Sequence, residues 1–292
     1  MNAHEFLAAR FEEHRTHLRA VAYRMLGSLS DADDAVQEAW MRISRTDTSG
    51  VENLGGWLTT VVGRISLNML RSRTQRREEP LDARVPDPII SSPEGLDPEH
   101  EVMLADSVGL ALLVVLDTLS PAERLAFVLH DLFSVPFDEI APIVGRTPAA
   151  ARQLASRARR RVQGTTSAPD ADPATQREVV DAFLTAARGG DLEALLAVLD
   201  PDVVVRSDGG SLRPSGVVRG APAVAEGAIT FARLAEFTRP ALVNGAAGAV
   251  AVSHGRPVSV AAFTVTRGKV VALDILTDPE RLARLDLTVL DD

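Results

Sequence analysis

Phe137-Asp138-Glu139-Ile140-Ala141-Pro142-Ile143-Val144-Gly145-Arg146-Thr147-Pro148 carries the mechanics of a helix-turn-helix. A small residue, Ala141, sits where the two helices come closest, Gly145 permits the turn, and Thr147-Pro148 caps and starts a second helix running to about Arg161. On that second helix Ala151, Leu154 and Ala158 form an inward stripe. Arg152, Gln153, Ser156, Arg157 and Arg160 then face outward, with Arg146 in the turn before them. These side chains suit a major groove: Arg can be bidentate to guanine and Gln to adenine, while further arginines hold phosphates. From Ile140 to Pro169 there are six arginines and no acid, which favours DNA over a merely solvated helical face.

Working outward, a second basic island precedes this one. From Trp57 to Arg77 there are five arginines and again no acid. The chain as a whole carries a net charge of −9, which excludes a protein that coats nucleic acid without specificity. The absence of cysteine removes disulfides and thiolate metal sites, and six scattered histidines supply no paired ligand spacing, so no cofactor or metal is expected. The start lacks a basic segment followed by an apolar run. The longest apolar run, Val108 to Leu116, is far short of the roughly 20 residues of a membrane span. Both point to a cytoplasmic protein with no membrane partner.

The pattern divides the 292 residues into three modules. In residues 1–77, Leu18, Val21, Ala22, Met25 and Leu26 follow helical spacing up to Gly27. Ser30 is read as the cap of the next helix, answered by Asp33, with Val36, Trp40 and Ile43 as its buried face. Gly55-Gly56 precedes a third helix from about Trp57 to Arg73. Residues 78–98 hold five prolines and six acids without a sustained period, the composition of an extended linker. Residues 99–163 read as four helices ending in the helix-turn-helix, with Ser120-Pro121 starting one of them. After a linker at 164–173, residues 174–292 read as α+β: two helices, a turn at Asp200-Pro201-Asp202, and an antiparallel curved sheet. Its hairpins turn at Asn244-Gly245, His254-Gly255 and Arg267-Gly268.

Asp31-Ala32-Asp33-Asp34-Ala35-Val36-Gln37-Glu38-Ala39-Trp40, followed by Trp57-Leu58-Thr59-Thr60-Val61-Val62, resembles region 2 of extracytoplasmic-function sigma factors. The helix-turn-helix is similar to their region 4, and together these cover about residues 1–163. The resemblance implies a partner and a role for each helix. Asp34, Gln37 and Glu38 would dock on the clamp coiled coil of the largest RNA polymerase subunit, as an acidic face suits a basic surface. Asp31 and Asp33 are read as dipole-favoured solvated acids. Arg64, Asn68, Arg71 and Arg73 would contact the minus-10 promoter element, where unstacked bases of the opened strand are captured. Arg64 and Asn68 depart from the residues usual in the family, so no promoter sequence is carried over. Trp57, beside Leu58 and Val61, is read as core in preference to a stacking platform.

The last module resembles the cone-shaped α+β SnoaL-like domains through Gly190-Asp191-Leu192-Glu193-Ala194-Leu195-Leu196 and Asp200-Pro201-Asp202-Val203. In some extracytoplasmic-function sigma factors such a domain is fused at this place and regulates the sigma core. Asp208-Gly209-Gly210 matches their Asp-Gly-Gly-Gly signature with Ser211 in place of the third glycine, and Asp278-Pro279-Glu280-Arg281-Leu282 resembles their Asn-Pro-Asp-Lys-Leu motif. For Asp208, Gly209 and Gly210 a hairpin turn and a regulatory contact stand level. Asp208, His254 and Asp274 form no catalytic constellation, and whether a small ligand enters a C-terminal cavity stays open. The expected protein is therefore a multidomain sigma factor, with all-α regions 2 and 4 followed by an α+β SnoaL-like domain. It would bind core polymerase and promoter DNA and perform no catalysis. The rivals are a helix-turn-helix regulator with a ligand-sensing C-terminal domain, and a SnoaL-like enzyme fused to a DNA-binding unit.

Overall fold

The computed structural model describes residues 3–46, 50–76, 83–92, 109–165, 172–212, 214–230, 237–285 and 287. The chain folds into two compact units. The first gathers residues 1–79, 101–106 and 115–165, and the second residues 80–100, 107–114 and 166–292.

The first unit begins with α1 (Ala3–Leu26), which stops at Gly27 with φ +66°. Ser28 is extended and caps α2 (Leu29–Ile43), accepting from the Asp31 amide at 3.3 Å. The cap thus lies two residues before the expected Ser30, because the left-handed Gly27 already reverses the chain and frees Ser28 to take the cap conformation. The buried face of α2 is Ala32, Ala35, Val36, Ala39 and Ile43. Trp40 is half-buried against Phe11, ring centroids 5.2 Å apart. α3 (Leu54–Arg76) buries Leu58, Val62, Ile65 and Leu67.

α4 (Gly109–Asp117) is the apolar run read from sequence, and its residues run from the second unit into the first. Ser120 and Glu123 close a capping box on α5 (Pro121–Phe127), which continues into a π-helical turn, Val128–Leu132. α6 (Phe137–Val144) and α7 (Pro148–Thr165) are the helix-turn-helix, joined through Gly145 with φ +68°. The inward stripe of α7 is Ala151, Ala155 and Ala158, with Leu154 only half-buried. Three alanines let α7 lie close to α5 and α6, where a leucine would hold the helices apart.

In the second unit α8 (Pro173–Gly189), α9 (Leu192–Val198) and α10 (Ala221–Thr230) cover one face of a seven-stranded sheet. Its strands are β1 (Ile90–Ser91), β2 (Leu199–Asp208), β3 (Gly216–Arg219), β4 (Thr238–Val243), β5 (Ala246–Ser253), β6 (Arg256–Thr266) and β7 (Lys269–Leu276), in the order β1-β4-β5-β6-β7-β2-β3. A short α11 (Pro279–Leu282) follows. The three hairpin turns occur as read: Asn244, His254 and Arg267 take φ 51–53°, each followed by a positive-φ glycine. Val180, Phe183, Leu195, Val203, Val224, Phe263 and Leu273 share the core between helices and sheet.

Three expectations change here. The sheet is mixed, because β2 pairs with β7 in parallel after a long connection that holds β3, α10 and β4–β6. Asp200-Pro201-Asp202 is an irregularity inside β2, where the pairing shifts between Leu199 and Val204, rather than a turn ahead of it. Residues 83–92 are extended, as their prolines require, yet they are docked: β1 pairs with β4, Ile90 opposite Val243 and Ser91 opposite Leu242. Two backbone donors that the prolines leave intact there are satisfied by the C-terminal residues, the Ile89 amide donating to Asn244 Oδ1 and the Val85 amide to Asp208 Oδ2, each at 3.0 Å.

Candidate nucleic-acid and polymerase interface

On α3, Arg64, Asn68 and Arg71 are exposed at spacings of four and three residues and so share one face. Trp57 is half-buried and continues that face toward the helix start, beside Thr60, Val61 and Arg64 in the wall of a groove of about 620 Å³. The indole is therefore open on one side rather than core. Arg73 leaves the stripe. It pairs with Asp31 and donates Nη1 to the Leu26 carbonyl at 3.1 Å, tying α3 to the start of α2. Nine residues separate it from Arg64, half a helical turn out of phase, so its charge serves packing.

On α2, Asp34 and Gln37 are exposed and Glu38 is half-exposed, its carboxylate paired with Arg42 one turn on. Asp33 is taken by Arg19 at 2.7 Å. The first-turn acids read as solvated thus hold neighbouring helices, and Asp34, Gln37 and Glu38 keep an outward face. Met41, 49% exposed, stands on that face as well. Its signal was an apolar residue one turn beyond Gln37.

Six arginines follow Ile140, and the fold sorts them. Arg159 pairs with Asp131 at 2.6 Å, and Arg161 lies 3.9 Å from Glu123 and donates to the Thr118 carbonyl at 3.2 Å. Acids distant in sequence thus neutralise two of them. Arg146, Arg152, Arg157 and Arg160 are exposed and make no ion pair among the described residues. Gln153 is exposed beside them and Ser156 half-exposed. The Arg152 guanidinium lies 5.4 Å from the Phe137 ring centroid, so the first helix of the motif steadies a side chain of the second. Thr147 Oγ1 accepts from the Ala150 amide at 3.3 Å, the N-cap read from sequence.

The C-terminal motifs converge on the segment between the helical modules. Asp208, 7% exposed, accepts from the Val85 amide at 3.0 Å, from Arg281 Nη1 at 2.8 Å and from the Gly210 amide at 3.1 Å. Arg281 also donates Nη2 to the Val85 carbonyl at 2.6 Å and Nε to Asp87 at 2.7 Å. Gly210, at φ +63°, leaves room for Asp278, which caps α11: a Cβ on Gly210 would lie 2.3 Å from Asp278 Oδ2. Gly210 thus makes the turn, and the Asp208 carboxylate contacts the Val85 amide and the Arg281 guanidinium. The Gly209 amide donates to Ser215 Oγ at 3.0 Å.

Asp274 is buried and paired with Arg206 at 3.2 Å, directly across the β2–β7 register. Burial pushes its carboxyl above the ordinary range, opposed by Arg206. It alternates with Leu273, which belongs to the core under the helices, so it lies on the other face of the sheet. His254 is in its turn, with Nδ1 3.0 Å from Ser253 Oγ. Asp208, His254 and Asp274 are thus engaged separately and do not converge.

Arg124 is a structural residue that sequence reading passed over. It is 2% exposed, donates Nε and Nη2 to the Arg24 carbonyl at 3.1 and 3.0 Å, and pairs through Nη1 with Asp117. Its main partner is a backbone oxygen a hundred positions away, for which no local pattern exists.

Comparison with known proteins accords with this arrangement. Residues 10–76 match the Sigma-70 region 2 family and residues 109–162 the Sigma-70, region 4 family. The chain is 39% identical over 287 residues to ECF RNA polymerase sigma factor SigJ of Mycobacterium tuberculosis (strain ATCC 25618 / H37Rv), covering 93% of this chain and 91% of that protein. It is 36% identical over 288 residues to the probable ECF RNA polymerase sigma factor SigI of the same strain, covering 97% of each. The crystal structure of Mycobacterium tuberculosis SigJ superposes with a TM-score of 0.78 at 35% identity, covering 96% of this chain and 100% of that one. A match over both helical modules and the C-terminal unit sets aside a simple repressor and a fused enzyme. No described helix is long and apolar enough to cross a membrane. The chain belongs to the extracytoplasmic-function sigma factors, which bind core RNA polymerase and direct transcription from specific promoters.

Proposed function

We propose that promoter reading is divided between the exposed stripe of α3, Arg64, Asn68 and Arg71 on the minus-10 element, and the exposed face of α7 on the minus-35 element. There Arg152, Gln153, Ser156 and Arg157 reach base edges, and Arg146 and Arg160 hold phosphates. Asp34, Gln37 and Glu38, with Met41 among them, dock on the basic clamp coiled coil of the largest polymerase subunit. The C-terminal domain regulates this core by gripping the segment between the two readers. The observation that carries the regulatory reading is the partly buried Asp208–Arg281 pair holding the backbone of Val85 and the carboxylate of Asp87. A segment so held is shortened and fixed at one point, which limits how far apart the readers can be placed.

The test is promoter-specific transcription with purified core polymerase and the full chain. Gln37→Ala with Glu38→Ala is expected to abolish polymerase capture, and unchanged capture removes the docking assignment. Asp208→Asn with Arg281→Ala is expected to change promoter output at unchanged polymerase affinity. Output equal to the parent's on every promoter tried would show that the clamp has no regulatory role.

A further inference from the structure

The seam between the two sigma modules, all of it inside the first unit, has a chemistry that promoter reading does not use. Gly63 of α3 packs so close to the π-helical turn that a Cβ there would lie 3.0 Å from Leu129 Cδ1. Arg124 fastens α5 to the end of α1 through the Arg24 carbonyl. α6 brings Glu139, Pro142 and Ile143 to the groove whose other wall is Trp57, Thr60, Val61 and Arg64. A nucleic-acid backbone tracking Arg64 would thus meet the Glu139 carboxylate. The minus-10 and minus-35 elements lie roughly 25 base pairs apart, about 85 Å along B-DNA. A compact body of this unit's size has a radius of gyration of only about 14 Å. Both elements cannot be held until the unit opens.

What holds the seam is sensitive to charge. A second cavity, of about 400 Å³, is lined by His14, His17 and Thr59 on one side and by Phe133, Pro136 and Glu139 on the other. The His17 ring meets Phe133 edge-on, centroids 5.2 Å apart, and its Nε2 lies 3.1 Å from Thr59 Oγ1. Thr59 donates its hydroxyl hydrogen to the Gly55 carbonyl, so His17 is the donor of the pair. The Arg24 guanidinium already stands 4.9 Å from the Phe133 centroid. His14 Nε2 is buried without a hydrogen-bond partner among the described residues.

We propose that this seam is a proton-sensitive latch: neutral His17 packs on Phe133 and holds region 4 against region 2, and protonation of His17 releases it and uncovers α3. A positive charge on His17 beside that of Arg24, in a partly desolvated cavity, would be repelled by it. Facing His17 from α1 are His14 and Arg24, and α3 contributes only Thr59 and the Gly55 carbonyl. The turn 133–136 contributes no ionisable group. On the π-helical turn His130 engages the Val135 carbonyl and Asp131 engages Arg159. Glu139 is the one acid lining the cavity among the described residues, and it is exposed, so solvent screens its attraction. Burial, then the charges of His14 and Arg24, hold His17 below the ordinary histidine range in the closed unit. Opening returns it to water and toward that range. The open form therefore binds more protons, and acid favours it.

The consequence for promoter access rests on the reading of α3 as the minus-10 reader; the latch does not. The absence of native cysteine allows Glu13→Cys and Asp138→Cys to carry a donor–acceptor dye pair on the full chain. Between about pH 7.5 and about pH 5.5, the window in which histidine changes charge, energy transfer is expected to fall. In His17→Gln it is expected to stay flat, with far-ultraviolet circular dichroism unchanged. Phe133→Leu, which removes the ring contact while keeping bulk, is expected to show low transfer at both pH values. Flat transfer in the parent, or an undiminished fall in folded His17→Gln, overturns the latch. In parallel, a fluorescein-labelled single-stranded 12-nucleotide DNA of mixed sequence is expected to bind several-fold more tightly as transfer falls. A fall in transfer without a gain in affinity upholds the latch and removes α3 as the reader.

Discussion

Asp208 shows how much one carboxylate can organise. Three donors converge on it, two of them from segments more than seventy positions away, and charge-assisted bonds in a buried setting contribute roughly 1.5–3 kcal/mol each. Arg281→Ala should therefore raise amide hydrogen exchange at Val85 and Ile89 while leaving the helical unit untouched; equal protection would mean that the arginine is not what holds the segment. Gly210→Ala combines a left-handed φ of +63° with a Cβ 2.3 Å from Asp278 Oδ2, and should lower the melting temperature of the C-terminal unit by several degrees. Asp274 works in the opposite sense from most acids. Its folded-state carboxyl binds a proton more readily than in the unfolded chain, so the stability it contributes is complete at low pH and is lost as pH rises through its raised range. Asp274→Asn should flatten that part of the stability–pH curve, and an unaltered curve would place the titration elsewhere.

Helices that look alike in sequence divide their labour once their neighbours are known. On α7, Arg157 points outward without an ion pair among the described residues, and Arg159, two positions on, is held by Asp131. Arg157→Ala should weaken upstream-element binding and reduce the slope of log affinity against log salt by about one, with polymerase capture intact. Arg159→Ala should leave that slope nearly unchanged. The start of α5 is a case where local chemistry is complete: Ser120 and Glu123 satisfy each other's backbone, and Ser120→Ala should cost about 1 kcal/mol in denaturant unfolding. The hairpin turns are equally local, since Asn-Gly, His-Gly and Arg-Gly pairs supply the two positive φ angles that tight turns between twisted strands require. Strand direction is not local. A parallel β2–β7 pairing depends on which strands meet after a long connection, and nothing in the alternation of either strand encodes it.

In the molecule as a whole, the division into units cuts across the order of the chain. Residues 83–92 lie between the two helical modules in sequence, yet they pair with β4 of the C-terminal sheet. Prolines and acids marked that stretch as extended, and an extended strand with free donors finds acceptors wherever an edge is open. The helix-turn-helix, the acidic face of α2, the basic stripe of α3 and the three hairpin turns were all legible because each depends on residues within a turn or two of one another. The cap of α2, the open side of Trp57, the withdrawal of Arg73 into packing and the burial of Arg124 were not. Each is decided by a partner from another element, and pairing energies between distant groups leave no periodic trace in a single chain. Sequence thus specified what each element is and which side chains share its outward face, since helical period and charge are properties of neighbours. Tertiary structure alone decided which of those charges remain free to act and which segment the C-terminal domain holds. Neutralisation and burial arise only when residues far apart in sequence share one low-dielectric site.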